Sequence, residues 1–215
     1  AEIGSLKFTR EYLCVPISTG TALFNPEYID KCKSKDHVLK LGNRKDKGYK
    51  YYVGVDPAIS TDGDYNVITV LEVDDEMNKT IVHVDRAKNV EFRENIEKVR
   101  LIGKIFQPEA IFYETNTFAK AFTQELRSIS DLNVRDFHTT RKNKQEIILN
   151  LQMNIENQKL RFPYGDNASR KLTGMLIEEL SMFAITSSGK FEGVGAHDDL
   201  VMSLALANAA TQNPN

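Results

Sequence analysis

The chain has 215 residues, 41% hydrophobic and 27% charged, which is enough for one well-cored domain and ordinary for a globular protein. Its formal net charge is −2, so no whole-molecule positive field gathers polyanions, and any such contact must rest on a local basic patch. No apolar run reaches the roughly 18 residues of a membrane span, and no signal-peptide pattern opens the sequence, so no membrane partner is expected.

Residues 1–48 carry short apolar stretches broken by Pro16, Gly20 and Pro26 and end in the charged run LGNRKDKGYK. This predicts an extended arm closing in a short helix, with a boundary near Gly48; a small subdomain packed on the core is the alternative. Cys14 and Cys32 have neither CxxC spacing nor nearby histidines and read as reduced thiols. The main domain is expected over residues 49–215. YKYYVGVDPA is a β-branched and aromatic run, predicting a buried strand that stops at Pro57. YNVITVLEVDD predicts a second strand and KTIVHVDRAKN a third, with Asp74 to Asn78 as the turn between them. EFRENIEKVRLIGKIFQ places Phe92, Ile96, Val99, Ile102 and Phe106 at helical spacing and stops before Pro108. A fourth strand, EAIFYETN, follows, then a helix, FAKAFTQELRSIS, and a short strand, NVRDFHTT. The long helix KNKQEIILNLQMNIENQ, the strand-like KLRFPY and the helix ASRKLTGMLIEELSMF come next. GAHDDLVMSLALANAA closes the chain as a buried helix reaching about Ala210. Three strands joined by short loops predict an antiparallel meander, and strands separated by helices predict parallel pairing. The expected class is α/β, a mixed sheet flanked by helices.

Asp198 and Asp199 stand side by side at the mouth of that last helix, where like charges resist desolvation. An N-cap is the plainer role, but one aspartate suffices for a cap and the second stays unexplained. Asp56 closes strand one and Glu114 closes strand four, each after a buried run. Their plainer roles are a turn former before proline and a solvated strand end. Functional groups of open α/β sheets gather at the carboxyl ends of strands. If strands one and four are neighbours, Asp56 and Glu114 share a crevice that the HDD segment closes. Three or four carboxylates meeting there cannot all stay ionised unaided. Hard oxygen ligands select Mg²⁺ or Mn²⁺, and two such ions about 4 Å apart would activate a water and stabilise the leaving oxygen of a phosphodiester.

VGVDPA with DGDYNVITV behind it, then IFYETN, then HDDLVMSLALA, resemble the nuclease domain of the large terminase subunit of tailed double-stranded DNA bacteriophages. That family has the ribonuclease-H-like fold. The resemblance covers roughly residues 49 to 210, and REYLCVPISTGTALFNPEYI ahead of it looks like the family's joint between ATPase and nuclease. Residues 1–48 are therefore expected as a linker from an ATPase domain of the same polypeptide. The resemblance implies a metal-dependent endonuclease that cuts concatemeric viral DNA during capsid filling, in the cytoplasm of an infected bacterium. It also implies the portal and the small terminase subunit as partners. Carried over by position, Asp56 would bridge both metals, Glu114 would bind one, and Asp199 would bind from the last helix. Asp198 would ligate directly or through water. Asp64, in DGDYN, matches a recurring acidic position, either as support at the metal or as a turn residue. No GxxxxGK[ST] motif is present, so ATP hydrolysis is not expected of this chain.

Duplex DNA held by its backbone requires local cations. Arg141, Lys142 and Lys144 at the start of the long helix are the first candidates, then Lys159 with Arg161, then Arg170 with Lys171; solvated surface is the plainer role of each group. Lys144 is also a candidate for stabilising charge near the scissile phosphate. No interleaving of aromatic and basic residues suggests a single-strand platform. His197 could assist proton transfer or ligate metal, or simply open the helix, whereas His37, His83 and His138 have no partner at ligand spacing. Two rival functions fit the same sequence: a junction-resolving or recombination nuclease of the same fold, and a non-catalytic docking module of a packaging motor. A sugar-kinase or actin-like ATPase is disfavoured by the lack of a glycine-rich phosphate loop.

Overall fold

The computed structural model describes residues 22–40, 48–58, 65–115, 120–186, 188–193 and 197–212. Strand β2 (Lys50–Asp56) runs antiparallel to β3 (Asn66–Val73), and β3 antiparallel to β4 (Lys79–Ala87), which is the expected meander. β5 (Ala110–Glu114) lies parallel to β2 on its other side, and β6 (Val134–Phe137) parallel to β5. β7 (Leu160–Pro163) pairs parallel with the start of β4, and the two-residue β1 (Lys33–Ser34) pairs parallel with β7. The sheet order is β1-β7-β4-β3-β2-β5-β6.

Six helices accompany it among the described residues: α1 (Pro26–Lys31), α2 (Phe92–Phe106), α3 (Lys120–Ile129), α4 (Arg141–Glu156), α5 (Asn167–Met182) and α6 (Asp199–Ala210). α2 lays Ile96, Val99, Ile102 and Phe106 on one sheet face, against Tyr51, Val53, Ile68 and Val70. It ends at Gln107, whose φ of 47° is left-handed, just before Pro108. α4, α5 and α6 bury their apolar residues on the other face, around Val67, Leu71 and Phe112.

α6 is buried along its whole length, which explains a sequence that is apolar all round. It lies close against β2 because Gly54 has no side chain. A Cβ there would stand 2.1 Å from the Ser203 carbonyl and 2.3 Å from the Ala207 nitrogen. Ser203 Oγ fastens the crossing by bonding the Gly54 carbonyl and Thr69 Oγ1, each at 2.9 Å.

Residues 22–40 do not behave as a free arm. Leu23, Phe24, Ile29 and Cys32 are each 2% exposed or less, the Leu23 amide donates to the Phe183 carbonyl, and β1 joins the main sheet. The boundary expected near Gly48 thus does not divide the packing of the described residues, because these side chains belong to the main core. Burial pushes the Cys32 thiol up to about 12. Cys14 lies outside the described residues. A second departure is the hairpin of β8 (Phe183–Ile185) and β9 (Phe191–Gly193), inserted between α5 and α6. Its three-residue strands are too short to show alternation in sequence. Among the described residues no helix is long and apolar enough to cross a membrane.

Candidate active site

β2 lies where the connection changes, with antiparallel β3 on one side and parallel β5 on the other. The register pairs Val55 with Tyr113, which brings the next residues, Asp56 and Glu114, to the same end of the sheet. Burial first, then the charge and hydrogen bond of Glu114, then Asp199 and Asp198, push the Asp56 carboxyl well above the usual range. The four acids named from sequence therefore act on one point. Burial and the Asp56 charge also raise the Tyr113 phenol, whose hydroxyl donates to Asn95 Oδ1 at 2.9 Å.

Asp198 occupies the N-cap position of α6 but makes no capping bond with its side chain. The capping is supplied from α5 by Glu179, whose Oε2 accepts from the amides of Leu200 at 2.8 Å and Val201 at 3.4 Å. Burial pushes the Glu179 carboxyl up to about 7, against the opposing pull of those amides and of Arg86. With the cap provided elsewhere, both aspartates are released from it. Asp199 Oδ2 accepts the Tyr65 amide at 3.1 Å and lies 3.6 Å from His197 Nδ1. Asp198 Oδ2 accepts from Lys144 Nζ at 3.0 Å.

The basic candidates separate into two places. Beside the acids, a hollow of about 210 Å³ is lined by Thr139, Thr140, Arg141, Lys144, Lys190 and Phe191 among others. Arg141 reaches across it to the Ser188 carbonyl at 2.6 Å, and Lys142 projects outward with 89% of its side chain exposed. Lys159 and Arg161 stand elsewhere. β7 pairs with Lys79 and Thr80 at the start of β4, whereas Asp56 is level with Val67 and Arg86 near its end. Six residues of strand put about 20 Å between the two places. Lys159 is held there by the Glu76 carbonyl and Asn78, both at 3.2 Å, and Arg161 faces Asp74 at 4.0 Å. Arg170 donates to the Tyr164 carbonyl at 3.1 Å, and its neighbour Lys171 is exposed. Asp64 lies outside the described residues. A larger cavity, about 470 Å³ between Gly103, Pro108 and Leu132, has Asp131 as its one lining carboxylate and sits at the opposite sheet end.

Among the described residues, no three His, Cys, Asp or Glu side chains are gathered closely enough to hold one ion in this conformation. Carboxylate oxygens are the donors that hard divalent ions take, so the set fits such an ion.

Residues 53–210 match the model of the Terminase RNaseH-like domain family. The chain belongs to that family. The large terminase nuclease from thermophilic phage G20c has a similar fold, with a TM-score of 0.69 and 21% identity over 88% of this chain and 98% of that one. The nuclease domain of Thermus phage P74-26 gives 0.64 and 20% over 85% and 93%, and the HK97 bacteriophage large terminase 0.61 and 11% over 87% and 43%. The G20c nuclease has also been solved with bound magnesium, cobalt and zinc. Among curated proteins, none matches this sequence. The expected ribonuclease-H-like mixed sheet is thus the fold of this terminase domain.

Sequence patterns did not single out Glu179, Tyr65, Arg86 or Lys190 in this terminase domain. One signal was available: Glu179 falls on the stripe of Leu172, Leu176, Leu180 and Phe183, and a charge on the buried face of a helix needs a partner.

Proposed function

We propose that this terminase domain is a metal-dependent endonuclease that cleaves double-stranded viral DNA during genome packaging, by two-metal-ion hydrolysis of the phosphodiester. The observation that carries the reading is the register that ends β2 at Asp56 beside Glu114 of β5, with Asp198 and Asp199 at the start of α6 close enough to act on the Asp56 carboxyl. The metal-bound G20c structures support a divalent cofactor. Asp56, Glu114 and Asp199 would hold Mg²⁺ or Mn²⁺, with Asp198 joining directly or through water. When bound, such ions acidify a water toward neutrality and neutralise charge on the leaving oxygen.

The chain's own groups supply the rest. Asp56 and Glu114 present their carboxyl groups to the crevice from the ends of β2 and β5. Lys144, paired with Asp198, brings positive charge to its edge, and His197 stands beside Asp199 to take or give a proton. Arg141, Lys142, Lys144 and Lys190 receive backbone phosphates, which gives affinity without sequence readout. Lys159 and Arg161 stand too far from the acids to touch the same phosphates. Asp64 is assigned a supporting role at the metal. Residues before the described part of the domain join it to an ATPase domain, the portal and small subunit are its packaging partners, and the host cytoplasm is its place of action.

Plasmid cleavage tests this. The parent is expected to nick and linearise supercoiled plasmid in Mn²⁺, with chelator or Asp56→Asn removing the activity. Absence of metal-dependent cleavage overturns the reading, and strong preference for a synthetic four-way junction over duplex transfers it to a resolvase.

A further inference from the structure

The start of α6 is held by a closed ring of contacts that the nuclease reading does not use. Glu179 caps the helix with Oε2, while its Oε1 lies 3.4 Å from Nη2 of Arg86 on β4. The Arg86 guanidinium carbon stands 3.3 Å from the centroid of the Tyr65 ring. Tyr65 in turn gives its amide to Asp199 Oδ2 at 3.1 Å and meets the His197 ring edge-on at 5.2 Å. Asp199 is therefore gripped from two sides. One is the helix start that Glu179 caps, and the other is the Tyr65 backbone that Arg86 clamps.

We propose that Arg86 and Glu179 are positioning residues for Asp199, fixing the start of α6 and Tyr65 so that this carboxylate is preorganised for a divalent ion. The proposal rests on the nuclease reading. Packing alone does not account for Arg86: its Nε is buried with no hydrogen-bond partner among the described residues. A buried donor left in that state carries a desolvation cost that an apolar side chain of similar size would avoid. Partners that orient metal ligands typically change metal affinity about 10–100-fold when removed. Because both residues close one ring, opening it twice does no more than opening it once.

Calorimetric titration of the metal-free chain with Mn²⁺, alongside thermal melting, tests this without reference to cleavage. Arg86→Ala and Glu179→Ala are each expected to weaken Mn²⁺ binding about tenfold or more, and the double variant no further than either. Glu179→Gln keeps an oxygen on the Leu200 and Val201 amides but turns its NH2 toward Arg86, so it opens the ring at that one contact and is expected to weaken Mn²⁺ binding as Arg86→Ala does. Should Glu179→Ala fail to fold, Arg86→Ala and Glu179→Gln decide the matter. A folded Arg86→Ala protein with parental affinity overturns the ring, as do losses that add in the double variant. If the parent itself binds no Mn²⁺, the nuclease reading falls and takes this inference with it; parental binding with unchanged variants overturns the inference alone.

Discussion

Asp56 closes β2 beside Glu114 at the end of β5, and burial together with the neighbouring acids pushes its carboxyl well above the usual range. Asp56→Asn keeps the shape and removes one charge from a repelling cluster, so cleavage should fall to background while the melting temperature without metal stays level or rises. A melting temperature several degrees below the parent would contradict this. Glu179 gives the pH dependence a sign. Its folded pKa is raised from 4.5 to about 7, so between those values the folded chain keeps a proton that the unfolded chain has lost. Stability from this group is therefore full below 4.5 and lost as the pH climbs to about 7, and Asp56, also raised, acts in the same direction. Melting of the metal-free chain from about pH 5 to about pH 7.5 should fall more steeply for the parent than for Glu179→Gln. Asp198 and Asp199 were legible because a cap needs one aspartate and two are present, whereas Asp56 and Glu114 were legible only from their place at the ends of buried strands. Glu179 was not legible, since its partners, the amides of Leu200 and Val201, become neighbours only when α5 packs against α6.

α6 brings Asp198 and Asp199 to the crevice by lying across β2, β3 and β5, and Gly54 sets how close it comes. Gly54→Ala would drive a methyl into helix backbone, not into a side chain that can turn aside. We expect a loss of about 3 kcal/mol or more, hence a melting temperature lower by about 6 °C or more, with Mn²⁺ affinity falling as the helix shifts. Parental melting would show that the helix sits further from the strand. Elements of five or more residues with a clear period, β2 to β5 and α2 most plainly, were readable because periodicity needs length to declare itself. The two-residue β1 and the three-residue β8 and β9 are fixed by tertiary pairing, which leaves no local trace. The same holds for residues 22–40, whose polar and broken sequence hides how deeply Leu23 and Phe24 are buried.

With a net charge of −2, the whole molecule attracts DNA only through placement of its cations. Arg141, Lys144 and Lys190 line the hollow beside the acids, while Lys159 and Arg161 stand about 20 Å off along the sheet. Arg141→Ala and Lys190→Ala should each lower the slope of log affinity against log salt by about 1, whereas Lys159→Ala leaves it unchanged. Equal effects from both groups would place the duplex differently. The topology that made this separation, β7 crossing to the outer edge of β4, was not readable, because spacing predicts parallel pairing without naming the neighbour. The direct test of the central claim is an anomalous difference map from a crystal soaked in Mn²⁺. Strong peaks enclosed by Asp56, Glu114 and Asp199 are predicted; a map in which manganese avoids that cleft while occupying other surface acids would contradict the account.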